Sequence, residues 1–216
     1  MTTLTEIANR CGTDKGTEHF NQHGYTLIYE QYLEPWRHKD LKMLEIGVLR
    51  ADFARAYEGA SLKMWHTYFP HARIYGYDLY DSSHLQNDRV TTFRGDQANR
   101  HHWQQFLDTC GSKFDVIIDD AIHASKFQQI SLGILFPHLT PGGLYFIEDL
   151  DWQPGFENPS DLKTLELIRV FRDTGKISSQ FMDQKEMAYL ERWIDGCEIH
   201  DDKLCVLRKK IDPRQT

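Results

Sequence analysis

The chain has 216 residues, 40% of them hydrophobic, which suits one α/β domain with a sizeable core. The formal net charge is -7 and the Lys and Arg residues are scattered, so the composition argues against a nucleic-acid partner. The first residues lack the apolar core of a signal peptide, and no stretch approaches the roughly 18 apolar residues of a membrane span, so we expect a cytoplasmic protein without a membrane partner.

Apolar runs that end in a carboxylate alternate along the chain with segments long enough for helices. This alternation predicts βαβ units and a parallel, doubly wound Rossmann-like α/β sheet of strand order 3-2-1-4-5. The predicted strands are 41–47, 73–79, 90–96, 114–120 and 143–149, and the predicted helices are 24–34, 61–69, 99–110, 123–138, 160–173 and 183–193.

The chain changes character after these elements. The segments CEIHD at 197–201 and KLCVLRK at 203–209 indicate an antiparallel strand pair joined by a tight turn. Residues 141–143 predict a turn into the fifth strand, and residues 152–159 predict a loop that can cover a site at the strand ends. We therefore predict a single domain, 1–216, with an N-terminal helical segment at 1–40, a core at 41–150 and the loop, helices and hairpin at 151–216.

The first three strands end in polar residues suited to a nucleoside. Gly47, just after Glu45, lets the backbone turn and approach a ligand, but the other glycines of a dinucleotide fingerprint are absent, which disfavours a nicotinamide enzyme. Asp78 is placed to accept ribose hydroxyls, and Asp96 and Gln97 are placed to meet an adenine ring. Any one of these acids alone is better explained as a helix N-cap. Together they favour a cofactor without phosphates, of which S-adenosylmethionine is the common one.

The fourth and fifth strands end in Asp119-Asp120 and Glu148-Asp149. Neighbouring strands lie about 4.8 Å apart, and two carboxylates about 5 Å apart repel by roughly 3 kcal/mol at an effective dielectric near 20. The acids can share protons, meet a basic side chain or bind a cation, and an all-oxygen set favours Mg²⁺, Mn²⁺ or Ca²⁺ over zinc. Because consecutive strand side chains point to opposite faces, we expect one of Asp119 and Asp120 in the cluster and the other at the cap of the next helix.

His123 follows Asp120 by three residues, at the predicted start of a helix, where it can face the same cleft. An imidazole that titrates near neutral pH can take a proton from a hydroxyl. A solvated surface role is the default for most of the eleven histidines, and only the neighbouring acids set His123 apart. Trp152, in the loop that follows the last acids, is a candidate wall of an acceptor pocket.

Seven segments, in order, resemble the Mg²⁺-dependent O-methyltransferases of natural-product biosynthesis, the family of the macrolide sugar O-methyltransferases with cephalosporin-hydroxylase-like relatives. They cover most of residues 12–150. The segments are GTDKG at 12–16, LEIGV at 44–48, SLKMWHTYFP at 61–70, IYGYDLYD at 74–81, FRGDQ at 93–97, DVIIDDAIH at 115–123 and LFPHLTPGGLYFIEDL at 135–150.

The resemblance implies a class I methyltransferase fold and transfer of a methyl group from S-adenosylmethionine to a sugar or polyketide hydroxyl of a natural product such as an antibiotic. It implies that His123 is the general base and that Mg²⁺, with Mn²⁺ as the alternative, is the metal. The implied metal ligands are Asp120, Glu148 and Asp149. The implied cofactor-binding residues are Lys15, Glu45, Gly47, Ser61, Asp78, Asp96, Gln97 and Asp119.

Two departures from the family pattern leave the acceptor open. The typical Asp-Asp-Gly-Ser-His is here Asp119-Asp120-Ala121-Ile122-His123, which keeps the base but makes its surroundings more apolar. The additional N-terminal domain of the macrolide enzymes is expected to be missing. The expected partner is a small hydroxylated acceptor. The sequence also allows a second copy of the chain as a partner, in a homo-oligomer.

Two other functions stay open at this point. A protein that binds S-adenosylmethionine without catalysis, and acts through its surface or an oligomer, is compatible with the fold alone. A metal-dependent hydroxylase would need two histidines and one carboxylate around iron, and only His123 lies near the acids.

Overall fold

The computed structural model describes residues 2–19, 21–49 and 58–212. The chain divides into two compact units, one ending at Arg94 and the other beginning at Gly95. Within the described ranges the sheet has seven strands in the order β3-β2-β1-β4-β5-β7-β6. The predicted α/β order 3-2-1-4-5, followed by a C-terminal antiparallel pair, is confirmed. The assignment of residues 1–216 to a single domain stays a prediction.

The first unit contributes three parallel strands. In β1 four of the five residues are buried, and in β2 the last three are, because a parallel strand is covered on both faces. The elements of this unit are α1 (Leu4–Cys11), α2 (Tyr25–Leu33), β1 (Lys42–Ile46), α3 (Ala60–Tyr68), β2 (Arg73–Asp78) and β3 (Val90–Arg94).

Helix α1 lies within the predicted N-terminal helical segment, 1–40, but its own bounds were not predicted, although its sequence carries the signals. Thr3 and Glu6 form a reciprocal capping box, in which each side chain accepts a hydrogen bond from the other residue's backbone N–H. The helix ends at Gly12, whose φ of 80° is the left-handed conformation that favours glycine. Leu4, Ile7 and Ala8 are buried, so this short helix is held by packing as well as by its caps.

The second unit contributes the parallel pair β4 and β5 and, beside β5, the antiparallel hairpin of β7 and β6. Its elements are α4 (Arg100–Cys110), β4 (Phe114–Asp119), α5 (Ser125–Leu135), β5 (Leu139–Ile147), α6 (Thr164–Thr174), α7 (Gln184–Trp193), β6 (Ile194–His200) and β7 (Leu204–Lys209). Across the described residues, the helices are all too short or too polar to cross a bilayer.

Two predicted boundaries in this unit were wrong. Residues 141–143 lie inside β5, where the register of this strand shifts against β4. The two glycines accommodate the shift, because Gly142 has a φ of 79° and a Cβ on Gly143 would come within 3.0 Å of backbone oxygens. The fourth predicted helix begins at Ser125, not at His123, because His123 has a left-handed φ of 59°. It ends at Leu135, and a 3-10 turn at 136–138 carries Pro137.

Candidate active site

A group of potential metal ligands lies in the second unit, directly after β4 and β5. Asp120, His123 and Asp149 each offer one ligand atom, and these atoms all lie within 4.8 Å of one another. His123 Nε2 is 3.4 Å from Asp149 Oδ2, and both side chains are largely buried. The other ring nitrogen, Nδ1, is buried without a hydrogen-bond partner in the structure. A histidine and two acids are therefore held together with one polar atom unsatisfied.

The backbone at this cluster adopts costly conformations. His123 and Asp149 have φ values of 59° and 51°, in the left-handed region where a side chain is disfavoured. Such conformations persist only where surrounding interactions enforce them. On the Asp149 side, the N–H of Glu148 donates to Asp119 O at 3.0 Å and that of Leu150 donates to Lys203 O at 2.9 Å. These bonds fix the residues on both sides of Asp149.

Glu148, the third predicted metal ligand, does not belong to the group defined by the 4.8 Å limit. It is buried, and its backbone carbonyl accepts a 3.1 Å hydrogen bond from the Gln128 side chain. Its role as a ligand stays a prediction. Gln128 was missed by the sequence analysis because a polar residue on the buried face of α5 has no local signature.

Asp119 is separated from this cluster, as expected for a neighbour on the opposite strand face. It is fully buried, and Gln97 Nε2 donates to both of its carboxylate oxygens at 2.9 and 3.0 Å. Burial raises the pKa of Asp119 to about 7, partly offset by the Gln97 hydrogen bond. The expectation that one of the paired acids caps the next helix was wrong. The N-cap residue of α5 is Ala124, whose side chain makes no capping hydrogen bond.

The two residues after β3 that were expected to meet adenine are held by local bonds. Asp96 Oδ1 accepts from the N–H of Ala98 at 2.8 Å, and the carbonyl of Gln97 accepts from Trp103 Nε1 at 2.9 Å. The side-chain oxygen of Gln97 is buried and has no hydrogen-bond partner in the structure. Gln97 therefore carries an acceptor that a donor group of a ligand would satisfy.

In the first unit, Glu45 is the centre of a buried polar cluster. Its carboxylate accepts from Ser61 Oγ at 2.8 Å and from Trp65 Nε1 at 3.2 Å, and Lys15 Nζ lies 3.6 Å away. Lys15 and Glu45 are both essentially inaccessible to solvent. The structure thus brings together three of the predicted cofactor-binding residues. It adds Trp65, which the sequence could have indicated because it lies one helical turn after Ser61 on α3.

Asp78 and Gly47 shape the turn that follows β1. Asp78 Oδ2 accepts from the N–H groups of Val48 and Leu49, both at 2.9 Å, and Oδ1 accepts from that of Tyr80 at 2.9 Å. Gly47 has a φ of 84°, which confirms the need for glycine there, and its N–H donates to Tyr77 O at 2.8 Å. The carboxylate therefore ties the turn after β1 to the end of β2.

Comparison with known proteins gives relatives along almost the whole chain, although no protein-family model matches it. The mycinamicin VI 2''-O-methyltransferase of Micromonospora griseorubida is 37% identical over 221 aligned positions, which cover 97% of this chain and 53% of the relative. The demethylmacrocin O-methyltransferase of Streptomyces fradiae is 32% identical over 217 aligned positions, which cover 97% of this chain and 53% of the relative. The chain thus spans about half the length of these curated relatives.

A solved structure is similar over the full chain. The MycE methyltransferase of the mycinamycin biosynthetic pathway, in complex with Mg, SAH and mycinamycin VI, matches with a TM-score of 0.80 and 30% identity, over 100% of this chain and 56% of that one. The fold is therefore that of the class I methyltransferases. Within that class, the chain belongs to the macrolide sugar O-methyltransferase family.

The buried pair of Lys15 and Glu45 generates a stability prediction. Replacing Lys15 with Met should lower the free energy of unfolding by roughly 3 kcal/mol, because it leaves a buried carboxylate without its cation. The double variant Lys15→Met, Glu45→Gln should lose less than the single variant. Denaturant unfolding measures these two variants and the single variant Glu45→Gln, with Lys63→Met on the exposed face of α3 as the control. If the double variant loses as much as the two single changes added together, the pair is not coupled.

Asp119 generates a prediction for pH. Its pKa is about 7 in the folded chain against an ordinary 3.8, so the folded state binds the proton more tightly than the unfolded state. The fold therefore loses stability as pH rises from about 4 to about 7. Asp119→Asn cannot ionise, so its free energy of unfolding, measured in a chelator across this range, should lack that slope. Parallel curves for the wild type and the variant would contradict the assignment.

Proposed function

We propose that the chain is a metal-dependent O-methyltransferase that moves the methyl group of S-adenosylmethionine to a sugar hydroxyl of a natural product. The observation that carries this proposal is the cluster of Asp120, His123 and Asp149 in a chain whose relatives are sugar O-methyltransferases. The names of two relatives specify O-methylation of mycinamicin VI and of demethylmacrocin. A glycosylated acceptor is therefore the substrate class that we assign.

The residues present fit a hard divalent cation. Aspartate oxygens from two strand ends are the ligands that Mg²⁺ prefers, and Mn²⁺ accepts the same set. We assign Asp120, Asp149 and, as the third ligand, Glu148 to the metal. When bound, the cation would lower the pKa of the acceptor hydroxyl.

His123 is the general base in this proposal. Asp149 Oδ2, 3.4 Å from Nε2, orients the imidazole, and the imidazole is the group that we assign to proton removal. Loss of the proton to the imidazole leaves an oxygen nucleophile. This oxygen forms a bond to the methyl carbon as the bond from that carbon to sulfur breaks, which gives the methyl ether and S-adenosylhomocysteine. The chain's contribution is alignment of the two reacting atoms.

We assign cofactor-binding roles within each unit. In the first, Gly47 allows close approach of the backbone and Asp78 would accept the ribose hydroxyls. Glu45 is already engaged with Ser61 and Lys15, so we assign these three to shaping the pocket wall. In the second unit the residues assigned to the cofactor are Asp96, Gln97 and Asp119. The unsatisfied side-chain oxygen of Gln97 suits the exocyclic amino group of adenine.

The two other functions are less well supported. An iron hydroxylase would need a second histidine, and the ligand group found in the described residues contains one. A non-catalytic binding protein would not require a base beside the acids. Neither has an observation of its own in its favour.

Replacement of His123 tests the proposal. His123→Ala should lower turnover by roughly 10²- to 10⁴-fold, the usual contribution of a general base, and leave S-adenosylhomocysteine binding unchanged. Methyl transfer to a panel of deoxysugar glycosides gives the rate, and calorimetry gives the binding. His101→Ala, an exposed histidine of α4, is the matched control.

The same assay tests the metal. Removal of divalent ions with a chelator should abolish transfer, and added Mg²⁺ should restore it. Equal loss of turnover and cofactor binding in His123→Ala would argue against the base assignment. Full activity in excess chelator would overturn the metal assignment.

A further inference from the structure

An aromatic side chain stands beside the base. The indole of Trp152 and the imidazole of His123 meet with ring centroids 5.6 Å apart and planes at 78°. Trp152 is nevertheless 53% exposed. Its backbone N–H donates to Asp149 O at 3.1 Å, which ties its position to that of a proposed metal ligand. A large apolar surface is thus open to solvent at the place where the acceptor hydroxyl would lie.

The segment that carries Trp152, residues 150–163, is fastened to the start of α5. Neither α5 nor α6 has a side-chain cap from its own N-cap residue. Instead, Glu157 Oε2 accepts from the N–H of Ser125 at 3.3 Å, and Ser125 Oγ accepts from the N–H of Thr164 at 3.1 Å. The start of α5, two residues after His123, is therefore capped by Glu157 of this segment, and the start of α6 is capped by Ser125, the first residue of α5.

Glu157 makes this attachment rigid. Its side chain is 3% exposed, and its second oxygen accepts a 2.7 Å hydrogen bond from Lys163 Nζ. Gln129 of α5 adds a 2.7 Å bond from its side-chain nitrogen to Leu162 O. A segment held at these points has little conformational entropy to lose, so the entropy cost is small when a ligand packs on the indole of Trp152.

Resting on the proposed function, we propose that Trp152 is the platform on which the ring of the acceptor stacks, and so determines specificity for cyclic acceptors. A flat indole buries most area against a ring that offers a face of C–H groups, as a deoxysugar does. The hydroxyl at the edge of that ring then lies toward His123. The exposed apolar side chain of Ile122, next to His123 in sequence, fits an acceptor with little charge.

The test compares a cyclic acceptor with an open-chain acceptor that also carries a pair of neighbouring hydroxyls but has no ring. Methyl α-L-rhamnopyranoside and propane-1,2-diol are used as acceptors with S-adenosylmethionine and Mg²⁺, and kcat and KM are measured for each. Trp152→Ala should raise KM for the rhamnoside by roughly three- to tenfold, the value of one aromatic contact, with little change in kcat. KM for the diol should not change. Trp152→Phe should recover most of the loss.

Phe156→Ala is the matched control, because Phe156 is also an exposed aromatic residue of the same segment, at 64% against 53% for Trp152. It should behave like the wild type. Trp152→Leu, which keeps apolar volume without a flat ring, gives the same readout if the Ala variant does not fold. S-adenosylhomocysteine and Mg²⁺ binding, measured by calorimetry, should be unchanged in all variants.

The outcomes separate this inference from the proposed function. A wild-type chain that binds no S-adenosylmethionine, or transfers no methyl group, overturns both. A wild-type chain that methylates the rhamnoside, with KM unchanged in Trp152→Ala or Trp152→Leu, overturns the platform alone. An equal rise in KM for the rhamnoside and the diol also overturns it, because the contact would then not be with the ring.

Discussion

Several carboxylates lie at the ends of β4 and β5, and the need to offset their mutual repulsion constrains the rest of the second unit. Two adjacent aspartates, Asp119 and Asp120, have different surroundings, as expected for neighbours on opposite sides of a strand. Asp119 is buried, receives two hydrogen bonds from Gln97 and has a raised pKa, so part of its charge is removed by a proton near neutral pH. Asp120 lies close to Asp149 and His123, and a cation bound there would balance the negative charge.

The sequence was most informative about strand ends. An apolar run followed by an acid is a local pattern, and the alternation of such runs with helix-length segments predicts a parallel sheet, so the sequence alone predicts that the acids lie at one sheet edge. The same reasoning could not give the partners of Glu45. Lys15, Ser61 and Trp65 come from three separate segments, and only folding brings them to one carboxylate.

The backbone of the site was also beyond prediction. A helix beginning at His123 is the natural expectation from residue spacing, yet His123 and Asp149 take left-handed conformations that are uncommon for any residue other than glycine. The bonds that hold Asp149 in place come from the end of β4 and from the hairpin, at positions distant in sequence. Tertiary interactions therefore override local preference at the proposed base and at one proposed metal ligand.

A left-handed conformation is not by itself a sign of function in this chain. Gly47 turns the chain after β1 with a positive φ, but Asp201 and Asp202 do the same between β6 and β7. What sets His123 and Asp149 apart is that their side chains meet, with Nε2 of one 3.4 Å from Oδ2 of the other. Glycine at either position would relieve a strain of about 1 to 3 kcal/mol and remove the imidazole or the carboxylate. The strain at these two residues is therefore the cost of holding a histidine against an acid, which is the arrangement that the proposed function uses.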